Sequence, residues 1–241
     1  MRRDGDDAAD DAVRVRVTHL RSVPDPLRLL RFEEAPELGP RVLFFSGGTA
    51  LRKTARAIKR YTHNSIHLIT PFDSGGSSAK LRAAFSMPAV GDIRNRLMAL
   101  ADESLRGNPE IYDLFAFRFP EEEDARALRA RLDTMIERKD ALVSRVPDPM
   151  RKIIRTHLRH FRDQMPEDFD LRGASVGNLI LTGGYLNNER RLDPVIYMFS
   201  MLVKARGVVR PICNQHLHLA ATLADGTQAL GQHVLTARGA A

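Results

Sequence analysis

The sequence predicts an α/β fold: a Rossmann-like, mostly parallel sheet with flanking helices and one helical insertion. Three stretches carry this expectation. "RVLFF" (residues 41–45) is a continuous apolar run, as expected for a strand covered on both faces. It passes through "SGGTA" into "LRKTARAIKRY", a helical stretch with Leu51, Ala55 and Ile58 on one face. "SIHLIT" (residues 65–70) is then a second buried-strand candidate. Strand, glycine turn, helix, strand is a βαβ unit. In such sheets ligands bind outside the carboxyl ends of the strands, and both "SGGT" and "DSGGSS" fall there.

The remaining elements follow in order. Residues 1–12 read as a solvated acidic tail, and "VRVRVTH" (residues 13–19) alternates with period two, which predicts an edge strand. Residues 21–40, rich in proline and acid, predict a connecting segment. Pro120 and the acids Glu121 to Asp124 predict a helix start, with Leu128, Leu132, Met135 and Ile136 as its apolar face. A second helix is expected after Pro149, with Ile153, Ile154, His157, Leu158 and Phe161 at helical spacing. A helix from about Pro194 to Arg206, closed by Gly207, precedes the strand candidate "VVRPIC" and a hairpin turning at Asp225-Gly226. The expected organisation is an α/β core over 13–119, a helical insertion over 120–170 and the rest of the core over 171–241.

Composition narrows the function classes. The longest apolar candidate, "PVIYMFSMLVKA", is shorter than the roughly 20 residues a bilayer requires, so no membrane partner is expected. The N-terminus has no apolar h-region, and a single cysteine, Cys213, excludes an internal disulfide framework; both favour a cytoplasmic protein. The net charge of +7 admits an anionic partner, but equally an arginine-biased genome. The cations are dispersed among acids, without a basic run interleaved with aromatics, so no nucleic acid is expected. Cys213 reads as a small buried hydrophobe. His216 and His218 alternate and would share one strand face, yet without a third ligand in sequence they are not assigned to a metal.

The loops carry the chemistry. In Ser46, Gly47, Gly48 and Thr49 the two glycines let backbone amides approach an anion, and a helix beginning near Ala50 would direct its positive end there; an ordinary tight turn is the alternative. "DSGGSSAKLR" is more specific. Asp73 can hold magnesium or orient a hydroxyl, Gly75 and Gly76 allow close approach, Ser77 and Ser78 offer hydroxyls, and Lys80 and Arg82 neutralise charge. A helix cap by Ser77 or Ser78 explains one serine but not the whole set. Asp92 is a plausible cap for "GDIRNRLMALAD", which puts Arg94 and Asn95 in a first turn, as phosphate and base contacts or as surface residues. Gly177 and Asn178 open another apolar helix in the same manner.

Taken together, "FSGGTAL", "DSGGSSAKLR", "GDIRNRLMALAD", "LFAFRF", "GASVGNLIL" and "ADGT" resemble, in this order, the CofD/YvcK superfamily from about Val42 to Gly226. The acid before "GGSS" and the "GDIRN" turn are more similar to the YvcK branch than to true 2-phospho-L-lactate transferases. The resemblance implies a nucleotide-diphosphate cleft. In the CofD branch a phospholactyl group moves, with magnesium, from a guanosine diphosphate-linked donor to a deazaflavin alcohol. YvcK-like members are associated with UDP-sugar binding and with control of carbon metabolism and cell-wall growth. Carried over, Asp73 is the expected catalytic residue and Mg²⁺ ligand. Ser46–Thr49, Gly75–Ser78, Lys80, Arg82, Asp92, Arg94, Asn95, Gly177 and Asn178 form the expected nucleotide site. The expected function is a magnesium-assisted transferase acting on a nucleotide-linked donor. A non-catalytic UDP-sugar-binding regulator is the alternative, and a homodimer is an admissible assembly. The sequence departs from the family at Ala50, where a glycine is usual, and in "GASVGN", which lacks the usual Gly-His. Relatives also continue past the Asp-Gly hairpin into further βα units, so the C-terminal part is expected to be missing.

Overall fold

The computed structural model describes residues 15–18, 20, 23–47, 51–104, 106–232 and 234–235. The predicted βαβ unit is present: β1 (Val42–Ser46), α2 (Arg52–Ile58) and β2 (Ser65–Ile69), preceded by α1 (Pro26–Glu34). After it come α3 (Gly76–Phe85), α4 (Gly91–Leu100), α5 (Pro109–Ala116), α6 (Ala125–Ile136), α7 (Ala141–Ser144), α8 (Met150–Gln164), α9 (Val176–Asn187) and α10 (Leu192–Leu202). The strand β3 (Val208–Pro211) then returns to the sheet, and β4 (Ala220–Thr222) with β5 (Gln228–Leu230) forms a separate antiparallel hairpin. The sheet is parallel throughout, in the order β1-β2-β3, with Phe44 opposite His67 and His67 opposite Val209. The architecture is α/β.

Register explains which face is covered. Phe44, His67 and Val209 share one side, where α4 packs on β2 and β3 and α10 packs on β3. His67 and Val209 are accordingly buried, and Phe44 stacks on the His67 ring at 4.9 Å between centroids. Leu43, Phe45 and Val208 point the other way and are 51%, 70% and 47% exposed. The expectation that residues 41–45 are covered on both faces is therefore not met. The Leu43 and Phe45 side of β1 stays open. A hollow of about 780 Å³ also lies between α10 and β3, bordered by Tyr197, Met201, Arg206 and Val208.

One apolar core joins both halves of the chain and the helices between them. Ala55, Ile69, Leu97, Phe115, Leu132, Ile154, Phe161, Leu181 and Phe199 all belong to it. Each of the leucine, isoleucine and phenylalanine side chains contributes on the order of 2 kcal/mol by leaving water. The 120–170 segment packs within this same core, because α8 lies against α9 through Gly183, whose bare Cα faces the His157 carbonyl.

Several helix ends differ from expectation in instructive ways. Asp124 is the cap of α6, its Oδ2 accepting from Arg126 N at 2.8 Å and Ala127 N at 3.1 Å, so Glu121 to Glu123 precede the helix rather than open it. The helix α10 ends at Leu202, not at Gly207. Gly207 instead sits where β3 approaches β2, 2.7 Å from Ser65 Oγ at its Cβ position. Residues 15–18 form no strand, with Val15 and Val17 exposed; residues 1–14 and 19 lie outside the described set. His216 and His218 are on no strand either, and their rings meet edge to face at 5.1 Å. Cys213 is half-buried, not core. The hairpin turns at Asp225-Gly226 as expected, with Gly226 at φ +80 and Asp225 Oδ1 accepting from Thr227 N.

Candidate functional site

The carboxyl ends of β1 and β2 meet the first turns of α3, α4 and α9. Two glycines define the meeting point. A Cβ at Gly47 would lie 2.5 Å from Thr70 Oγ1 and 3.7 Å from Asp92 Oδ2. A Cβ at Gly91 would collide with Ser78 Oγ and lie 3.3 Å from Asp73 Oδ2. Glycine is thus required for the loops to close on one another, and the closure brings Asp73, Ser78, Gly91, Asp92, Gly47 and Thr70 into one patch. Gly48 and Thr49 lie outside the described residues.

Local geometry fixes each side chain. Asp73 Oδ1 accepts from Gly75 N at 3.0 Å, an Asx turn that shapes the entry to α3. The cap of α3 is Gly75, so Ser77 and Ser78 lie inside its first turn and neither caps it. Gly76 takes φ +49 with open space around its Cα. Asp92 likewise lies within the first turn of α4, where negative charge suits the helix dipole, and Val90 takes the cap position. In α9 the cap is Ser175; Gly177 packs against the Phe115 carbonyl and Arg94 Cδ, and Asn178 Nδ2 stands 3.5 Å from Ser77 Oγ. The Asn178 Oδ1 and Thr182 Oγ1 atoms are buried without a hydrogen-bond partner.

The basic residues divide by task. Lys80 Nζ bonds Asp170 Oδ2 at 2.8 Å and the Arg172 carbonyl at 3.0 Å, tying α3 to the segment before α9. Its ammonium is thus engaged within the chain. Arg82 is 3% exposed and donates to the carbonyls of Phe72 and Asp73, at 3.0 and 3.1 Å, and to that of Leu217. It holds the Asp73 loop from behind, beside a hollow of about 240 Å³ that also touches His216 and His218. Burial lowers its pKa, and Asp73 opposes that shift. Arg94, from α4, packs against Gly177 of α9. Its guanidinium donates to Ser175 Oγ and to Asn95 Oδ1. Burial first, then the like charges of Arg118 and Arg52, hold its pKa down to about 10.

Arg96, Thr70 and Arg118 were not among the residues expected from sequence. Arg96, 2% exposed, bonds Ser46 Oγ and the Leu51 carbonyl, both at 2.9 Å. Arg118 stands beside Ser175 because residues 117–119 zip antiparallel to 173–176. The alternation in "FRF" carries a signal for it: buried Phe119 and half-buried Phe117 place Arg118 on the opposite, open side.

The order and geometry of these loops match a known family. The family profile described as 2-phospho-L-lactate transferase CofD matches residues 42–240. The chain belongs to the CofD family. Similar proteins include the gluconeogenesis factors of Listeria monocytogenes, 28% identical over 84% of this chain, and of Bacillus subtilis, 27% identical over 81%. A crystal structure of a UPF0052-family protein from Bacillus halodurans shares 25% identity and a TM-score of 0.57 over 83% of this chain. This CofD-family chain spans about half the length of these relatives: 47%, 46% and 48% in the same order. The gluconeogenesis-factor relatives agree with the YvcK-like resemblance of its motifs. None of its helices among the described residues is long and apolar enough to cross a membrane.

Proposed function

We propose that this CofD-family chain binds a nucleotide-diphosphate-linked ligand, of the UDP-sugar class, at the patch where Gly47 and Gly91 meet, and acts as a regulator of carbon metabolism. The observation that supports binding is the patch itself. Two glycines, Gly47 after β1 and Gly91 in the first turn of α4, let the loops close until the hydroxyls of Thr70 and Ser78 and the carboxylates of Asp73 and Asp92 gather beside the first turns of α3 and α4. Such a surface accepts phosphate oxygens at close range. The regulatory role is supported by relatives named gluconeogenesis factors.

A second reading, transfer of a phospho-group, is favoured by Asp73. One of its oxygens is used in the Asx turn, while Oδ2 lies 3.3 Å from the Cβ position of Gly91. In this reading the acceptor hydroxyl gives its proton to Asp73 as its oxygen bonds phosphorus, and the bond from phosphorus to the departing nucleoside monophosphate breaks. Among the described residues no group of three acidic, histidine or cysteine side chains could cage a metal. Asp73, with Asp92 nearby, fits the one or two carboxylates by which Mg²⁺ is held when phosphates supply the rest. A bound Mg²⁺ would neutralise charge on the diphosphate.

Calorimetric titration of the 241-residue chain with UDP-N-acetylglucosamine, UDP-glucose, GDP and GTP, with and without magnesium, separates the readings. Saturable uridine-selective binding without turnover supports the regulator. Guanosine selectivity with magnesium-dependent turnover, abolished by Asp73→Asn, supports the transferase. Absence of binding to all four nucleotides overturns both.

A further inference from the structure

The hollow of about 780 Å³ between α10 and β3 takes no part in the patch described above. The helix α4 separates the two. Its first turn borders the patch, while Asp102 and Arg106 on the wall of the hollow follow its last turn, about 15 Å away. The direction of the hollow is set by α10: Asp193, Tyr197 and Met201, at intervals of four residues, form one row of side chains along it, and Lys204 follows just past the helix end.

The middle of this trough is apolar. Ile196 is buried in its wall, and Tyr197, Met201 and Val208 stay 69%, 62% and 47% exposed. The ends are charged and differ from one another. At one end the Asp193 carboxylate accepts from Arg210 Nη1 at 3.3 Å and Asn214 Nδ2 at 3.1 Å, so acid and cation are matched. At the other, Asp102 Oδ2 accepts from Arg206 Nη2 at 2.6 Å, and Arg106 and Lys204 stand beside that pair as two further cations. The Lys204 ammonium donates to the Arg106 carbonyl, a neutral partner, and the Arg106 guanidinium makes no hydrogen bond or ion pair among the described residues. Lys204 also takes φ +49, so the residue closing α10 is a cation in a left-handed conformation where glycine is usual.

A peptide strand does not suit this place. β3 has four residues and ends at Pro211, which carries no N–H, so it offers a further chain little backbone to pair with. An apolar trough with two unmatched cations at one end suits a narrow amphiphile instead, and the volume is that of a small-molecule site. We infer that the hollow binds an alkyl chain bearing one terminal anionic group, with the chain along Tyr197 and Met201 and the anion at Arg106 and Lys204. A free acyl carboxylate and an anionic lipid share this chemistry.

The test titrates octanoate, decanoate and dodecanoate, each below its micellar concentration, into the full chain by calorimetry. One site per chain is expected, tightening roughly 10-fold for each two added methylenes. Decyltrimethylammonium, with the opposite head charge, should bind at least about 10-fold more weakly than decanoate. Arg106, Lys204 and Met201 are exposed, so their substitution leaves the core intact. Met201→Asp and the double variant Arg106→Gln/Lys204→Gln should each weaken decanoate roughly 10-fold or more. Leu38→Asp and the double variant Arg126→Gln/Arg159→Gln, at exposed positions outside the hollow, should change it less than about 2-fold. Flotation with phosphatidylglycerol vesicles tells the sources apart: flotation lost in Met201→Asp assigns the site to a lipid, and decanoate binding without flotation assigns it to a free acyl anion. Failure of every acyl anion to bind, equal binding of the cationic amphiphile, or equal weakening by hollow and control substitutions overturns the inference. The nucleotide function proposed above stands or falls separately, since it is read at the other end of α4.

Discussion

Arg96 Nη2 donates to Ser46 Oγ at 2.9 Å while its Nη1 donates to the Leu51 carbonyl at 2.9 Å, so one buried guanidinium ties together both ends of the glycine loop. The loop follows β1 and precedes α2, and α4 supplies the tie. Burial lowers the pKa of Arg96, with the charge of Asp92 opposing that shift. Replacing Arg96 with Met removes two charge-assisted hydrogen bonds and leaves the Leu51 carbonyl and the Ser46 hydroxyl without that partner. A loss of about 2–4 kcal/mol is expected. Urea denaturation of parent and variant measures it; a difference under about 0.5 kcal/mol would show that the tie does not hold the loop.

Lys80 provides the converse case. From sequence it belongs with the phosphate contacts, but its ammonium is engaged with Asp170 at 2.8 Å, both side chains being about one-third exposed. Lys80→Ala is expected to lower stability by roughly 0.5–1 kcal/mol, the range of a partly exposed ion pair. Nucleotide affinity should change less than about 2-fold. A 10-fold loss of affinity with unchanged stability would return Lys80 to the ligand.

The contrast between these two residues shows what a sequence can and cannot reveal. The βαβ unit and the loops at strand ends, with Gly47, Asp73, Ser78 and Asp92 on them, follow from local patterns, because glycine turns between apolar runs leave few alternatives. Partnership across the chain is another matter. Lys80 and Asp170 are 90 residues apart, and Arg94 and Ser175 are 81 apart. Nothing in "SSAKLR" indicates that its lysine turns outward to an acid beyond the helical segment. The apolar run at residues 41–45 is similarly ambiguous, since apolarity on both faces fits a covered strand, yet β1 has one face open. Thr70 and Arg96 lie within quoted stretches, "SIHLIT" and "GDIRNRLMALAD", yet nothing in those stretches shows their partners, which become visible only when the loops close.

Two buried histidines make stability depend on pH. His157, 4% exposed in α8, is held down to about 4, chiefly by burial and secondarily by the neighbouring His160. His67, 1% exposed, is also held down to about 4, by burial and then by Arg96. The ordinary value in an unfolded chain is near 6.5. Between the two values the unfolded chain binds a proton that the folded chain refuses. Stability is therefore fully present above about pH 6.5 and falls as the pH drops towards 4, by up to roughly 3 kcal/mol for each histidine. Urea midpoints at pH 7.5, 5.5 and 4.5 read this slope. His157→Leu should remove about half of it, and an unchanged slope in that variant would exclude His157 as a source.

Adjacent phenylalanines test which face of the sheet is covered. Phe44 stacks on His67 with planes 11° apart, on the side where α4 packs on β2. Phe45, one residue on, is 70% exposed on the other side. Because side chains alternate along a strand, the two differ in burial while sharing the same strand. Phe44→Ala removes a ring from the packed side and should cost about 2–3 kcal/mol, somewhat below a fully buried phenylalanine because Phe44 is half-buried. Phe45→Ala should stay within about 0.5–1 kcal/mol, since its ring leaves little apolar surface covered in the folded state. Chemical denaturation of the two variants side by side decides the point. Equal losses would mean that the Leu43, Phe45 and Val208 face is covered in solution, and the one-sided sheet would then have to be abandoned.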